Sequence, residues 1–181
     1  LADDLTRQHA GRVEVIHRIG RRGLRTAYLE GFASALETES DAIVQMDADF
    51  SHDPSALAAM SDLLASNDFV LGSRYVRDGS VDKNWPFWRK GLSAFGNFYA
   101  RTILGVGIRD LTGGFKCFRR TVLEAIDLDA VAAKGYGFQI ERAYEVRRAG
   151  STVVEHPISF RDRVRGTSKM SSAIVVEALR L

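Results

Sequence analysis

Ala42-Ile43-Val44-Gln45-Met46-Asp47-Ala48-Asp49-Phe50-Ser51-His52-Asp53-Pro54 decides how the rest of the chain is read. A short apolar run of this kind predicts a strand buried on both faces, and it stops at two acids spaced i, i+2. Side chains at i and i+2 of an extended segment point the same way, so Asp47 and Asp49 can reach one cation together. Asp53 as cap and Pro54 at the first helical position predict that a helix follows. In an open parallel sheet, ligands bind outside the carboxyl ends of the strands, where these two carboxylates would stand.

Paired acids at a strand end are often no more than solvated loop residues, and three sharper readings compete with that one. A calcium loop of the helix-loop-helix type needs Gly at its sixth position and Glu at its twelfth; counted from Asp47 these are His52 and Ala58, so it fails. A haloacid-dehalogenase-like phosphatase places an Asp-x-Asp pair after a buried strand, with Ser51 in the place of its usual Thr. A nucleotide-sugar glycosyltransferase uses the same pair to hold Mg²⁺ or Mn²⁺ against the donor diphosphate.

With 181 residues, 45% of them apolar and 27% charged, the chain reads as one globular domain of ordinary size. A net charge of +2 gives no overall argument for nucleic acid as a partner. Basic residues do cluster locally, at Arg18, Arg21, Arg22 and Arg25 and again at Arg161, Arg163, Arg165 and Lys169, as a solvated face or a phosphate site. The one cysteine, Cys117, excludes an intrachain disulfide and a cysteine zinc site, and is read as a buried strand residue in a reducing compartment. No apolar run approaches the roughly 18 residues of a membrane span.

In chain order, the pattern predicts the tail of a helix to residue 8, a strand over 13–16 and a helix over 23–38. After the strand ending at Asp47 come a helix over 54–65 and a second buried strand over 68–74. Strands alternating with helices are the mark of βαβ units on a parallel sheet. A polar loop over 76–84 leads to Pro86, which opens a helix to about residue 104. Its stripe of Phe87, Trp88, Leu92, Phe95, Phe98, Tyr99, Ile103 and Leu104 is read as core, although Arg89, Lys90 and Arg101 beside it also suit a membrane interface. Further expected elements are a strand over 115–118, helices over 119–126 and 138–149, a strand over 151–160, a basic loop to Lys169 and an amphipathic helix from Met170. Neither Gly-x-Gly-x-x-Gly nor a Gly-Lys-Ser/Thr phosphate loop occurs, and the four histidines are not zinc-spaced.

Six segments in order then carry a resemblance. They are Asp47-Ala48-Asp49-Phe50-Ser51-His52; Gly72-Ser73-Arg74-Tyr75-Val76; Asn84-Trp85 with Arg89, Leu92-Ser93 and Gly96-Asn97; Asp110-Leu111-Thr112-Gly113-Gly114-Phe115; Gly135-Tyr136-Gly137-Phe138-Gln139-Ile140-Glu141; and Arg163-x-x-Gly166-x-Ser168-Lys169. Together they resemble the family 2 glycosyltransferases, and within them the polyprenol- or dolichol-phosphate mannose synthases. The later lysine and paired-acid motifs that a phosphatase needs are not found.

The resemblance implies a GT-A-type, Rossmann-like α/β fold, a mostly parallel sheet flanked by helices, with residues 1–181 forming one catalytic domain. It implies transfer of mannose from GDP-mannose to a polyprenyl phosphate, with a glucosyl or other sugar synthase, or a non-catalytic lipid-phosphate-binding module, as alternatives. By position, Asp47, Asp49 and Ser51 would hold Mg²⁺ or Mn²⁺; Asp47, Asp49, Arg163 and Lys169 would hold the donor diphosphate; and Arg74, Arg89 and Ser93 would grip the acceptor phosphate. Asp49, Arg74 and Arg89 would be the catalytic group. The family's nucleobase-binding opening strands find no match here, so about 50–60 further N-terminal residues are expected from family layout and ordinary domain size. A lipid acceptor makes 86–104 a membrane-interface or acceptor helix. It also implies a peripheral protein on the cytoplasmic face of a membrane, held there by an anchoring partner or an extra domain.

Overall fold

The computed structural model describes residues 2–20, 23–127 and 136–162. Their order is α1 (Ala2–Gln8), α2 (Leu24–Glu37), β1 (Ala42–Gln45), α3 (Ala56–Leu64), β2 (Phe69–Ser73), β3 (Ser80–Val81), α4 (Phe87–Leu104), β4 (Lys116–Arg119), α5 (Arg120–Ala125), α6 (Tyr136–Arg148), β5 (Val153–Pro157) and β6 (Ser159–Phe160). The expected βα alternation is therefore present. The strand expected over 13–16 is not formed: Val13 and Val15 are half-buried and Glu14 and Ile16 exposed, a strand-like alternation, but among the described residues no strand lies beside it to complete a ladder. The loop expected over 76–84 contains β3, which pairs in parallel with β6.

The main sheet has the order β1-β4-β2-β5. β4 is antiparallel to both β1 and β2, while β2 and β5 are parallel. Three strands thus run one way, as a mostly parallel sheet requires, with β4 reversed between them. In consequence the carboxyl ends of β1, β2 and β5 and the amino end of β4 share one edge of the sheet. There Gln45 and Leu71 are both in register with Lys116, and Ser73 with Pro157.

Every residue of β2 is buried, because both faces are covered. Phe69 and Leu71 join Phe32, Ile43, Phe118, Ile140, Ala143 and Val146 beneath α2 and α6; Val70 joins Met60, Leu64, Phe115, Cys117 and Ile158 beneath α3. Cys117 is the buried strand residue expected, its thiol pushed up to about 11 by burial. β1 differs from expectation: Ile43 and Gln45 are buried but Ala42 and Val44 are exposed. Helix α3 packs on β2 and β4, leaving that face of the edge strand β1 open.

Helix α4 begins and ends as its sequence predicts, after Pro86 in an extended conformation and at Gly105 with φ 64°. Its orientation corrects the core reading for most of its aromatic stripe, although Leu104 does pack against the core. Phe87 is 92% exposed and Trp88 68%, with Phe95, Phe98 and Ile103 also outside, while Asn97 and Ala100 face inward. The inward face is polar because it carries a latch: Asn97 Oδ1 accepts the backbone N–H groups of Leu111 and Thr112, and its amide donates to Ser93 O and Thr112 Oγ1. No helix among the described residues is long and apolar enough to cross a membrane.

Candidate active site

The acid pair stands on the bend that follows β1. Asp47 is half-buried, and its Oδ1 accepts the Tyr28 hydroxyl at 2.7 Å. Burial and the neighbouring Asp47 push the Tyr28 pKa up, so the phenol remains a donor. A methyl on Gly114 would lie 3.0 Å from Asp47 Oδ2, so the bare Cα makes room for the carboxylate. Asp49 closes a tight turn by accepting the Ser51 N–H at 3.1 Å, and Phe50 between them takes φ 64°. A left-handed conformation at a non-glycine residue costs about 1–2 kcal/mol, and such strain collects at functional turns. Ser51 is buried, with no hydrogen-bond partner for its Oγ among the described residues.

His52 packs its ring against Phe115 at 5.2 Å and Phe160 at 5.5 Å, and burial lowers its pKa despite the opposing charge of Asp47. It is a neutral wall of the site. Phe160 is the hub: its ring also meets Trp85 at 5.6 Å and the Arg74 guanidinium at 5.3 Å. The backbone just beyond it is tied to the acid loop, Arg161 N–H donating to Ser51 O. The Asp47–His52 loop, Arg74 and the start of α4 are thus brought together around one ring at the edge where three strands end.

Arg74 follows directly on β2 and turns its guanidinium onto Asp110, with Nε at 2.7 Å from Oδ2 and Nη2 at 2.7 Å from Oδ1. Its backbone N–H donates to the same carboxylate, and Nη2 also reaches Thr112 Oγ1 at 2.8 Å. Burial pushes the Asp110 carboxyl up, but the Arg74 charge and hydrogen bonds outweigh it and hold the pKa below the usual carboxylate range. Glu155 accepts the N–H groups of Arg109 and Asp110, so this loop is fixed from β5 as well as from α4.

Arg89, in the first turn of α4, lies 3.8 Å above the Trp85 ring and donates from Nη1 to Asp162 at 3.2 Å; its buried Nε has no hydrogen-bond partner among the described residues. Ser93 Oγ accepts the Tyr75 hydroxyl at 2.7 Å, which links it to the segment carrying Arg74. Arg163, Lys169, Gly166 and Ser168 fall outside the described residues, as do Gly135 and the helix expected from Met170.

Gln139 backs this edge from inside, whereas Glu141 lies away from it. Gln139 is buried under the sheet, accepting Lys116 Nζ at 2.7 Å and Gln45 Nε2 at 3.1 Å. Burial and the nearby Arg142 hold Lys116 well below an ordinary lysine. Arg142 donates to Gln45 Oε1, sits 4.1 Å from the Phe32 ring and 4.8 Å from Phe138, and is pushed down to about 9 by burial. Glu141 lines a cleft of about 460 Å³ with Ala125, Ile126, Glu145 and Arg148, which holds none of the residues gathered around Phe160.

Two carboxylates and a serine hydroxyl are hard oxygen donors. They suit a divalent ion that keeps water and substrate phosphate oxygens as its other ligands, as Mg²⁺ does, better than an all-protein cage. Among the described residues no three His, Cys, Asp or Glu side chains converge on such a cage.

Residues 2–127 match Glycosyl transferase family 2, and the chain belongs to that family: it is a transferase enzyme that uses a nucleotide-sugar donor. Among its relatives, a polyprenol monophosphomannose synthase of Mycolicibacterium smegmatis is 47% identical over 180 residues, covering 99% of this chain and 68% of that one. An undecaprenyl-phosphate mannosyltransferase of Micrococcus luteus is 44% identical over 167 residues, with 92% and 68% covered. A dolichol-phosphate mannosyltransferase of Pyrococcus furiosus is 35% identical over 171 residues, with 93% and 46% covered. The fold is of the GT-A type, seen in the crystal structure of glucosyl-3-phosphoglycerate synthase from Mycobacterium tuberculosis with Mn²⁺, uridine diphosphate and phosphoglyceric acid. That structure has a TM-score of 0.57 at 16% identity, covering 83% of this chain and 49% of that one.

Proposed function

We propose that the protein transfers mannose from GDP-mannose to a polyprenyl phosphate, with inversion at the anomeric carbon. The observation that carries the reading is the gathering of the acid loop, Arg74 and Arg89 around Phe160, in a chain 47% identical to a polyprenol monophosphomannose synthase. Asp47 and Asp49, with Ser51 Oγ as a further oxygen, would hold Mg²⁺ or Mn²⁺, which would supply Lewis-acid stabilisation of the departing diphosphate. Arg163 and Lys169 are assigned to the same diphosphate.

The acceptor explains why no base is needed. A phosphate monoester has its second pKa near 6 and is already largely a dianion at neutral pH. One of its oxygens attacks the anomeric carbon, a C–O bond forms to the acceptor, and the bond to GDP breaks with its electron pair leaving on the diphosphate. Arg89 presents the acceptor phosphate from the first turn of α4, its Asp162 contact being half-exposed and exchangeable. Arg74, expected from the resemblance to grip the acceptor phosphate, is held by Asp110 and acts instead as one half of a charged pair that shapes the floor beside it. Ser93 completes that wall through Tyr75.

The outward stripe of α4 gives the lipid a place to arrive from: Phe87, Trp88, Phe95 and Phe98 lie in the interface of a membrane this helix does not cross, with the protein peripheral on its cytoplasmic face. A membrane-anchoring partner or an additional domain would hold it there. The test offers GDP-mannose or UDP-glucose with polyprenyl phosphate and Mg²⁺ to the wild type, Asp49→Ala and Arg89→Ala, with and without chelator. Mannolipid from the wild type alone, lost in both variants and with chelator, supports the reading; unchanged product in all of them overturns it.

A further inference from the structure

Asp47 is held from two sides that the reaction itself does not account for. On one side Tyr28, from α2, brings its hydroxyl to 2.7 Å from Oδ1. The ring that carries this hydroxyl is itself fixed, stacked on Phe138 at 6.0 Å with 8° between planes and on Phe32 at 6.2 Å with 23°. On the other side the missing side chain of Gly114 leaves room for Oδ2 and Cγ, which a methyl would approach to 3.0 and 3.3 Å. The donor fixes one oxygen, and the carboxylate can take this position only while residue 114 carries no side chain.

We infer that Tyr28 and Gly114 form a clamp that sets the Asp47 carboxylate for the divalent ion, Tyr28 being a positioning residue that acts through Asp47. The inference rests on the reading of Asp47 and Asp49 as the ion's ligands. Its physical basis is that Mg²⁺ tolerates little departure from its preferred geometry, so a ligand free to rotate binds it less well. Losing a partner behind a metal ligand typically lowers metal affinity about 10–100-fold. Tyr28→Phe deletes the hydroxyl and leaves the stacked ring, so a role in packing alone predicts no change in metal binding.

The test titrates Mn²⁺ into the protein with GDP present and reads free Mn²⁺ by electron paramagnetic resonance, in the wild type, Tyr28→Phe, Gly114→Ala and Asp49→Ala. The expected result is an affinity about ten-fold weaker in Tyr28→Phe, and weaker also in Gly114→Ala, where the methyl displaces the carboxylate. The Mn²⁺ concentration for half-maximal transfer rises by the same factor in Tyr28→Phe, with circular dichroism unchanged. If Asp49→Ala abolishes binding while Tyr28→Phe and Gly114→Ala bind as the wild type does, the clamp is wrong and the metal site stands. If the wild type takes up no Mn²⁺, the metal site and the clamp fall together.

Discussion

Replacing Asp110 by Asn should destabilise the protein more than any other single-atom change at the site. The carboxylate is fully buried and accepts Arg74 Nε and Nη2 at 2.7 Å each and the Arg74 backbone N–H at 2.9 Å. The Arg74 side chain is itself only 9% exposed. Asn keeps the shape but removes the charge and turns a donor toward a donor, leaving a buried guanidinium without its counter-ion. Breaking a buried pair in this way costs about 3–5 kcal/mol, a large share of the roughly 5–15 kcal/mol that holds an ordinary domain together. Urea unfolding followed by circular dichroism measures it. The double variant Arg74→Met with Asp110→Leu removes both charges and should recover part of the loss. A cost below about 1 kcal/mol for Asp110→Asn, or a double variant no more stable than the single one, would refute the view that this pair is a desolvated structural unit.

His52 has a depressed pKa in the folded protein, so below about pH 6.5 the unfolded chain takes up a proton that the folded one refuses. Its contribution is complete above that pH and is lost as the pH falls, at up to about 1.4 kcal/mol per pH unit; His52→Gln should flatten the unfolding free energy measured between pH 7 and 5.5. Asp110 has the same sign at lower pH: its contribution is present above about pH 4 and disappears as acid protonates it, so Asp110→Asn should lose the steep acid limb of the wild type. Changing the exposed Phe87, Trp88 and Phe98 together to Ser should abolish flotation with anionic vesicles while moving stability by only about 0.5 kcal/mol per site, as surface positions do. Vesicle binding equal to the wild type's would remove α4 from the membrane.

Much of this architecture is legible in the residues. Pro86 and Gly105 mark the two ends of α4, and the apolar runs before Asp47 and Arg74 mark the two strands whose ends meet at the site. Periodicity, however, reports that a helix has an apolar face without saying what that face meets. In α4 only its end at Leu104 packs against the core, while Phe87, Trp88, Phe95 and Phe98 stay exposed, because the inward side carries Asn97, whose value lies in two backbone N–H groups 14 and 15 residues away. The same limit hid Tyr28 and Asp110. Tyr28 looks like one more stripe residue of α2, and only the packing of α2 over β1 brings its hydroxyl to a carboxylate 19 residues later. Asp110 stands in a motif that resembles the family's, but its pairing with Arg74 across 36 residues comes from the reversed strand β4 and the loop before it. Gln45 reads as a polar interruption of an apolar strand; it belongs to a buried chain of hydrogen bonds with Lys116, Gln139 and Arg142 that no local pattern announces.

The measurement that bears most directly on the whole account is the formation of mannolipid from labelled GDP-mannose and polyprenyl phosphate, in the presence of Mn²⁺, by the wild type and by Asp49→Ala matched for folded protein. The acid loop as a cation site predicts product from the wild type, lost on chelation and restored by added Mn²⁺, and none from the variant at any metal concentration. Equal product from both, or product that survives chelation, would contradict it.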